Sequence, residues 1–171
     1  GVIGLIRFLP FDLGWVPWGE TLAAIGMISA FWGVGVGLTQ SNPKAILAYS
    51  SVSQMGVIAA VLGMGLAAAR AGTSTEVAFY AAHHVLAKGA LFLAIGTCAA
   101  TGRWRLWPIV VPAAIVALGI AGLPFTGGAL AKYAVKDAMG YGLVGWLGKL
   151  SAVASTMLML HFLRRLFAVA A

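Results

Sequence analysis

The sequence predicts an all-α polytopic membrane protein of six to seven transmembrane helices, one of them discontinuous. Three observations carry that prediction. Of the 171 residues, 61% are hydrophobic and only 9% charged, whereas soluble domains need about 25% charged residues to cover themselves. The apolar residues fall in runs long enough to cross hydrocarbon, which takes about 20 residues per helix, and short polar or Pro/Gly-rich breaks separate the runs. One break, "GLPFTGG" at 122–128, interrupts an apolar run without a charge in it. The length leaves no room for several domains, so residues 1–171 read as a single transmembrane bundle.

In chain order, "GVIGLIRFL" reads as the tail of a helix ending near Leu9, and no basic leader precedes it. The sequence is therefore expected to be a partial chain. "PFDLGWVPWG" follows as a loop with interfacial tryptophans. A second helix is expected over about 19–40 and a third over about 43–69, where Pro43 suits the first helical turn. Thr73, Ser74 or Thr75 can cap a fourth helix over about 75–101. After the basic, Trp-rich turn "TGRWRLWP" come helices of about 107–122 and 129–139, flanking "GLPFTGG", and a last helix of about 143–167. Unwound backbone at membrane depth is tolerated only where protein covers it or where it lines a wet cavity. "GLPFTGG" is thus either a functional helix break or a tight loop between two short spans. Gly33 and Gly37 in "GVGVG" have the spacing of a close helix contact.

The net charge is +7, but the basic residues are scattered and form no stripe for phosphates to follow. Nucleic acid is therefore not expected as a partner, and juxtamembrane contact with anionic lipid accounts for the excess. The single cysteine, Cys98, excludes an internal disulfide or a Cys-rich metal site built by this chain alone. "GYGLVG" at 140–145 fits G-x-G-x-x-G, but it follows a membrane helix and not a strand, so it is no dinucleotide site. His83, His84 and His161 lack the H-E-x-x-H spacing of a zinc site. No cofactor is expected in this chain.

"HHVLAKGALFLAIG" at 83–96 places Lys88 near the middle of a long apolar helix. A lysine there costs roughly 2.5–3.5 kcal/mol even on lenient scales, so it is expected to serve a purpose. His84 lies one turn earlier on the same face. Desolvation disfavours the ammonium form and histidine titrates near neutrality, so the two can hand a proton between them through water. The bland alternative is a lysine that snorkels or pairs with an acid on another helix. His83 faces elsewhere and reads as packing or a hydrogen bond. Lys132 follows the "GLPFTGG" break closely, where it can meet water on one side and the bundle interior on the other. Lys136, one turn later, reads better as an interfacial anchor, with Asp137 beside it. Lys149 is either an anchor or a further relay group, and Lys44 sits at a helix start where an interfacial lysine is commonplace.

Three ordered motifs then carry a resemblance. "NPKAILAYSSVSQMGVIAAVLGMG" (42–65), "FYAAHHVLAKGALFLAIG" (79–96) and "IAGLPFTGGALAKY" (120–133) resemble segments of the antiporter-like proton-conducting subunits of respiratory complex I, Mrp-type antiporters and membrane-bound hydrogenases. "FLRRLF" (162–167) is similar to the basic end of their next helix. The resemblance implies the second of two inverted repeats in a bundle of about fourteen helices. It also implies a proton relay through Lys88, His84, Lys132 and Lys44, with Lys136, Asp137, Lys149 and His83 as secondary candidates. The sequence departs from the family pattern at Tyr80, where some relatives carry a second histidine, and its second helix lacks an ionisable relay residue.

The expectation is therefore proton translocation within a larger redox-driven or antiporter complex in an energy-transducing membrane (a bacterial or archaeal inner membrane, or an organelle equivalent). On this reading the chain is not catalytic alone but a membrane component of a quinone oxidoreductase-like or hydrogenase-like complex, or of an antiporter. Its partners are other membrane subunits, including the polypeptide that carries the first repeat, and lipids. Two alternatives stay open: a structural or assembly component with a decayed channel, and half of a Na⁺(K⁺)/H⁺ antiporter. The four acids, Asp12, Glu20, Glu76 and Asp137, all fall near predicted helix ends, which favours protons over metal cations.

Overall fold

Apolar side chains cover the outside of the folded chain as well as its interior. Ile25, Ile28, Trp32, Leu86, Leu93 and Leu160 are all exposed, as expected of helices solvated by lipid. The computed structural model describes residues 1–70, 72–101, 106–122, 125–139 and 142–169, with the side chains of Asp12, Lys136, Ala138 and Val169 outside that description. Among the described residues the elements are α1 (Val2–Phe8), a 3₁₀ turn (Phe11–Leu13), α2 (Val16–Thr39), α3 (Pro43–Ala67), α4 (Thr73–Ala100), α5 (Trp107–Ala121), α6 (Gly127–Met139) and α7 (Leu143–Val169). The expected six to seven spans resolve into four helices long and apolar enough to cross a membrane, α2, α3, α4 and α7. With 15 and 13 residues, α5 and α6 flank the break and each falls short of a crossing on its own.

Local chemistry sets most of the boundaries. Asn42 caps α3, its side chain accepting from the Lys44 backbone N–H at 2.9 Å, and Pro43 supplies the first helical residue. Around α4 the outcome differs from expectation. Gly72 holds the cap position and, having no side chain, makes no capping side-chain hydrogen bond. Thr73 is instead buried against Gly65 of α3, and an Arg70–Glu76 ion pair of 2.9 Å closes the turn.

Among the described residues the most extensive helix contact joins α2 to α3. Gly19, Gly26 and Gly33 recur every seventh residue along α2 and meet Gly63, Gly56 and Ser53 of α3. A Cβ on Gly26 would stand 2.6 Å from the Gly56 carbonyl oxygen, and one on Gly56 would stand 2.5 Å from that of Gly26. A seven-residue repeat keeps one seam facing its partner along a left-handed crossing, and without side chains in the seam the two backbones touch. The contact expected from Gly33 and Gly37 is present: both abut α3 at Tyr49, and Gly37 also meets Leu158 of α7.

Two apolar clusters fill the interior. One gathers Ile46, Leu47, Leu91, Ile95, Ala117, Leu158 and Phe162 from α3, α4, α5 and α7. The other gathers Val57, Val61, Leu66, Val77, Tyr80, Ala131 and Val135 from α3, α4 and α6. Along α4 the buried residues run Val77, Tyr80, His84, Ala87, Lys88, Leu91, Ile95 and Cys98. His84 and Lys88 therefore occupy a polar layer between the two clusters.

The seam gives a direct test. Gly56→Ala places a methyl group against backbone that cannot withdraw and should cost roughly 1–3 kcal/mol. Gly35→Ala meets nothing within 4 Å and should leave stability unchanged. Thermal unfolding of the detergent-extracted protein reads both, and equal midpoints for the two variants would contradict the packing described.

Candidate functional site

Lys88 is 5% exposed, and its Nζ donates to the backbone carbonyl oxygen of Leu47 on α3 at 3.0 Å. That oxygen also accepts from the Ser51 hydroxyl at 3.1 Å. Neither bland alternative for Lys88 is realised. The side chain does not reach the surface, and among the described residues the one ion pair is Arg70–Glu76. A backbone carbonyl accepts from an ammonium or from a neutral amine, because both carry N–H groups. A carboxylate in that place would hold the amine charged. Leu47 therefore gives Lys88 a site compatible with both of its protonation states.

His84 is buried one turn before Lys88 on the same face of α4, and Tyr80 one turn before that. His83 is half-buried and packs on the first residue of α6: a Cβ on Gly127 would stand 2.9 Å from its Nε2. His83, read from the sequence as packing or a hydrogen bond and as a secondary relay candidate, thus lies where the broken helix resumes.

The break itself positions Lys132. Leu123 and Pro124 of "GLPFTGG" lie outside the described residues. On either side of them the chain turns through positive φ at Gly122 (97°) and Phe125 (64°). Only glycine adopts that region freely, and at Gly122 it also makes room, since a Cβ there would stand 3.0 Å from Lys132 Cδ. Gly128 packs directly on the Gly119 carbonyl. The Thr126 hydroxyl accepts from the Ala129 backbone N–H at 3.3 Å and so caps α6. Lys132 Nζ donates to the Ala121 carbonyl oxygen, 2.6 Å away, among the carbonyls that end α5 without intrahelical partners. The negative end of the α5 dipole favours an ammonium there.

A cavity of about 320 Å³ adjoins Lys132 between α3, α4, α6 and α7. Tyr80, Gln54, Ser151 and Ser155 form its polar wall, and Asp137, Trp146 and Lys149 also line it. These groups are the polar part of a lining that is otherwise mostly apolar, and the volume is enough for several waters. Lys149 is exposed, with its Nζ 4.7 Å from the Trp146 ring centroid, a cation–π contact.

The structure thus places Lys132, Asp137 and Lys149 around one cavity and stacks His84 on Lys88 outside its lining. Tyr80 belongs to both groups, lining the cavity and continuing the Lys88/His84 face. Lys44 is exposed in the first turn of α3, one turn before Leu47, and the Lys136 side chain lies outside the described residues. Among the described residues no group of three or more His, Cys, Asp and Glu side chains is suited to a metal ion. His161 Nε2 instead lies 2.8 Å from the Gln40 carbonyl, tying α7 to the end of α2.

Sequence reasoning missed Gln54, Ser151 and Ser155. The signal was available: an amide in the middle of an apolar helix, and two serines four residues apart in another, need partners inside the membrane.

One consequence concerns stability. With no buried carboxylate paired to Lys88, Lys88→Met removes a costly group and leaves no orphaned charge. The variant should assemble normally and unfold at an equal or higher temperature. A clear drop in the melting midpoint would show that the amine is a structural tie.

Comparison with known proteins extends this description. A family model described as NADH:quinone oxidoreductase/Mrp antiporter, transmembrane, matches residues 1–159. The chain is 30% identical over 153 residues to a Na(+)/H(+) antiporter subunit of Alkalihalophilus pseudofirmus, an alignment covering 77% of this chain and 19% of that protein. It is 28% identical over 150 residues to a Na(+)/H(+) antiporter subunit of Bacillus subtilis, with the same coverage of 77% and 19%. With a Na(+)/H(+) antiporter subunit of Staphylococcus aureus it shares 30% identity over 152 residues, again 77% of this chain and 19% of the relative. The chain therefore spans about a fifth of the length of these curated relatives.

Proposed function

This chain belongs to the NADH:quinone oxidoreductase/Mrp antiporter transmembrane family, and from that premise we propose that it moves protons through Lys88, His84 and Lys132 inside a larger membrane complex. The relatives are named as subunits of Na(+)/H(+) antiporters, which supports an antiporter assembly with other membrane subunits as partners. The single observation that carries the proposal is the burial of Lys88 against a backbone carbonyl. A side chain held in this way can gain and lose a proton without losing its hydrogen bond.

The steps follow from placement. A proton reaching the Lys88 amine passes along the face of α4, where His84 is one turn away and helix neighbours at that spacing have Cβ atoms about 5–6 Å apart. Water in the cavity carries it on from the Tyr80 end of that face to Lys132. The Ala121 carbonyl and the end of α5 stabilise the arriving charge on Lys132. Release requires the ammonium to leave that carbonyl, and Asp137 and Lys149 line the same cavity. The competing reading, a scaffold with a decayed channel, leaves unexplained the buried Tyr80, Gln54, Ser151 and Ser155 side chains on the cavity wall beside Lys132. As for the coupling ion, the side chains bonded to the Leu47 and Ala121 carbonyls are amines, so the proton's step is the one assigned to it.

The test uses the complete assembly in proteoliposomes. Lys88→Met and Lys132→Met should each abolish proton movement, with the amount of assembled complex unchanged. Transport at the unmodified rate in Lys88→Met would refute the relay.

A further inference from the structure

Four polar residues on the wall of the Lys132 cavity form a hydrogen-bonded chain across three helices. The Tyr80 hydroxyl of α4 bonds to Gln54 Oε1 of α3. Gln54 Nε2 donates to Ser155 Oγ of α7 at 2.9 Å, and Ser155 Oγ donates to the Ser151 carbonyl oxygen at 2.8 Å. Tyr80, Gln54, Ser151 and Ser155 are each less than 5% exposed.

The direction of this chain is forced from one end. A backbone carbonyl can only accept, so the single hydroxyl hydrogen of Ser155 goes to Ser151. Ser155 Oγ must then accept from the amide nitrogen of Gln54, which turns Oε1 toward Tyr80 and makes the phenol the donor. Such a chain cannot itself pass a proton. It ends on a carbonyl that has none to release, and its central amide would have to adopt the imidic tautomer.

What it can do is orient water. With both hydroxyl hydrogens committed inside the wall, the oxygens of Tyr80 and Ser155 offer lone pairs to the cavity. Lys132, on another side of the same cavity, offers N–H donors. Water between them is aligned with its oxygen toward the amine and its hydrogens toward the wall.

We infer that Tyr80, Gln54 and Ser155 are positioning residues for proton transfer, a one-way hydrogen-bonded wall that aligns the cavity water serving Lys132. This rests on the relay reading above. Gln54 is the keystone, since it alone touches both neighbours, and Tyr80 carries the alignment to the His84 and Lys88 face of α4.

Proton flux per assembled complex in proteoliposomes tests the inference. Tyr80→Phe and Ser155→Ala should each lower the flux roughly tenfold, in line with the sensitivity of such steps to misplacement. Together they should lose no more than the more severe of the two, because they disable one unit. Ser155→Thr keeps the hydroxyl and should restore most of the flux. Ser53→Ala removes a buried hydroxyl that has no hydrogen-bond partner and should change nothing. Unchanged flux in either single variant, losses that multiply in the double, failure of Ser155→Thr to recover, or an equal loss in Ser53→Ala would each overturn the inference. Lys88→Met and Lys132→Met run alongside. If they keep their flux, the relay reading falls. If they lose it while Ser155→Ala does not, only the alignment falls.

Discussion

A positive charge on an amine is costly among apolar helices, and how that cost is met at Lys88 constrains much else in this fold. The amine is met by a dipole, not by an opposite charge. Leu47 supplies the acceptor from the second turn of α3, and its carbonyl oxygen is shared with the Ser51 hydroxyl. This works only if α3 is held at a fixed height and rotation against α4. The glycine seam with α2 provides that, because two backbones in contact have no side chains to reshuffle. Gly26 and Gly56 carry no side chain, yet the contact between their backbones helps fix α3 and with it the Leu47 carbonyl.

Lys132 repeats the solution with different material. Its acceptor is a carbonyl freed by a helix end, so the site exists because the helix is broken. Gly122 permits both the turn and the approach of the lysine side chain, and Gly128 lets α6 start directly against α5. The two amines therefore differ in kind. Lys88 sits on a continuous helix with a carbonyl of modest field, whereas Lys132 faces the summed dipole of α5. The negative end of α5 favours a positive charge at the second.

Much of this was legible in the sequence, for a physical reason. Membrane burial makes each polar residue expensive, so Lys88 and His84 stand out in an apolar run, and "GLPFTGG" stands out because unwound backbone is equally expensive. Both signals are local. What could not be read depends on pairings between distant residues. Gln54 is visible as an anomaly, but its partners Tyr80 and Ser155 come from two other helices. The seven-residue glycine repeat is written in α2, but its complement in α3 has meaning only once the crossing is known. The cap of α4 failed for a similar reason: Thr73 has the right chemistry, and its burial against Gly65 engages it elsewhere.

The polar layer between the two apolar clusters explains why uncharged polar groups and basic residues occur together. A run of lysines and histidines alone would gather charge and draw water into the core. Hydroxyls and an amide give the layer hydrogen-bonding capacity without adding charge, and their mutual bonds keep them from being orphaned. Apolar packing above and below then limits how far water extends. On the proposed relay, a proton entering this layer meets hydroxyls, an amide and two bases held by carbonyls, and among the described residues neither amine is paired with a carboxylate. An arrangement suited to transit has to bind weakly at every station, and replacing carboxylates with backbone and hydroxyl dipoles is one way to achieve it.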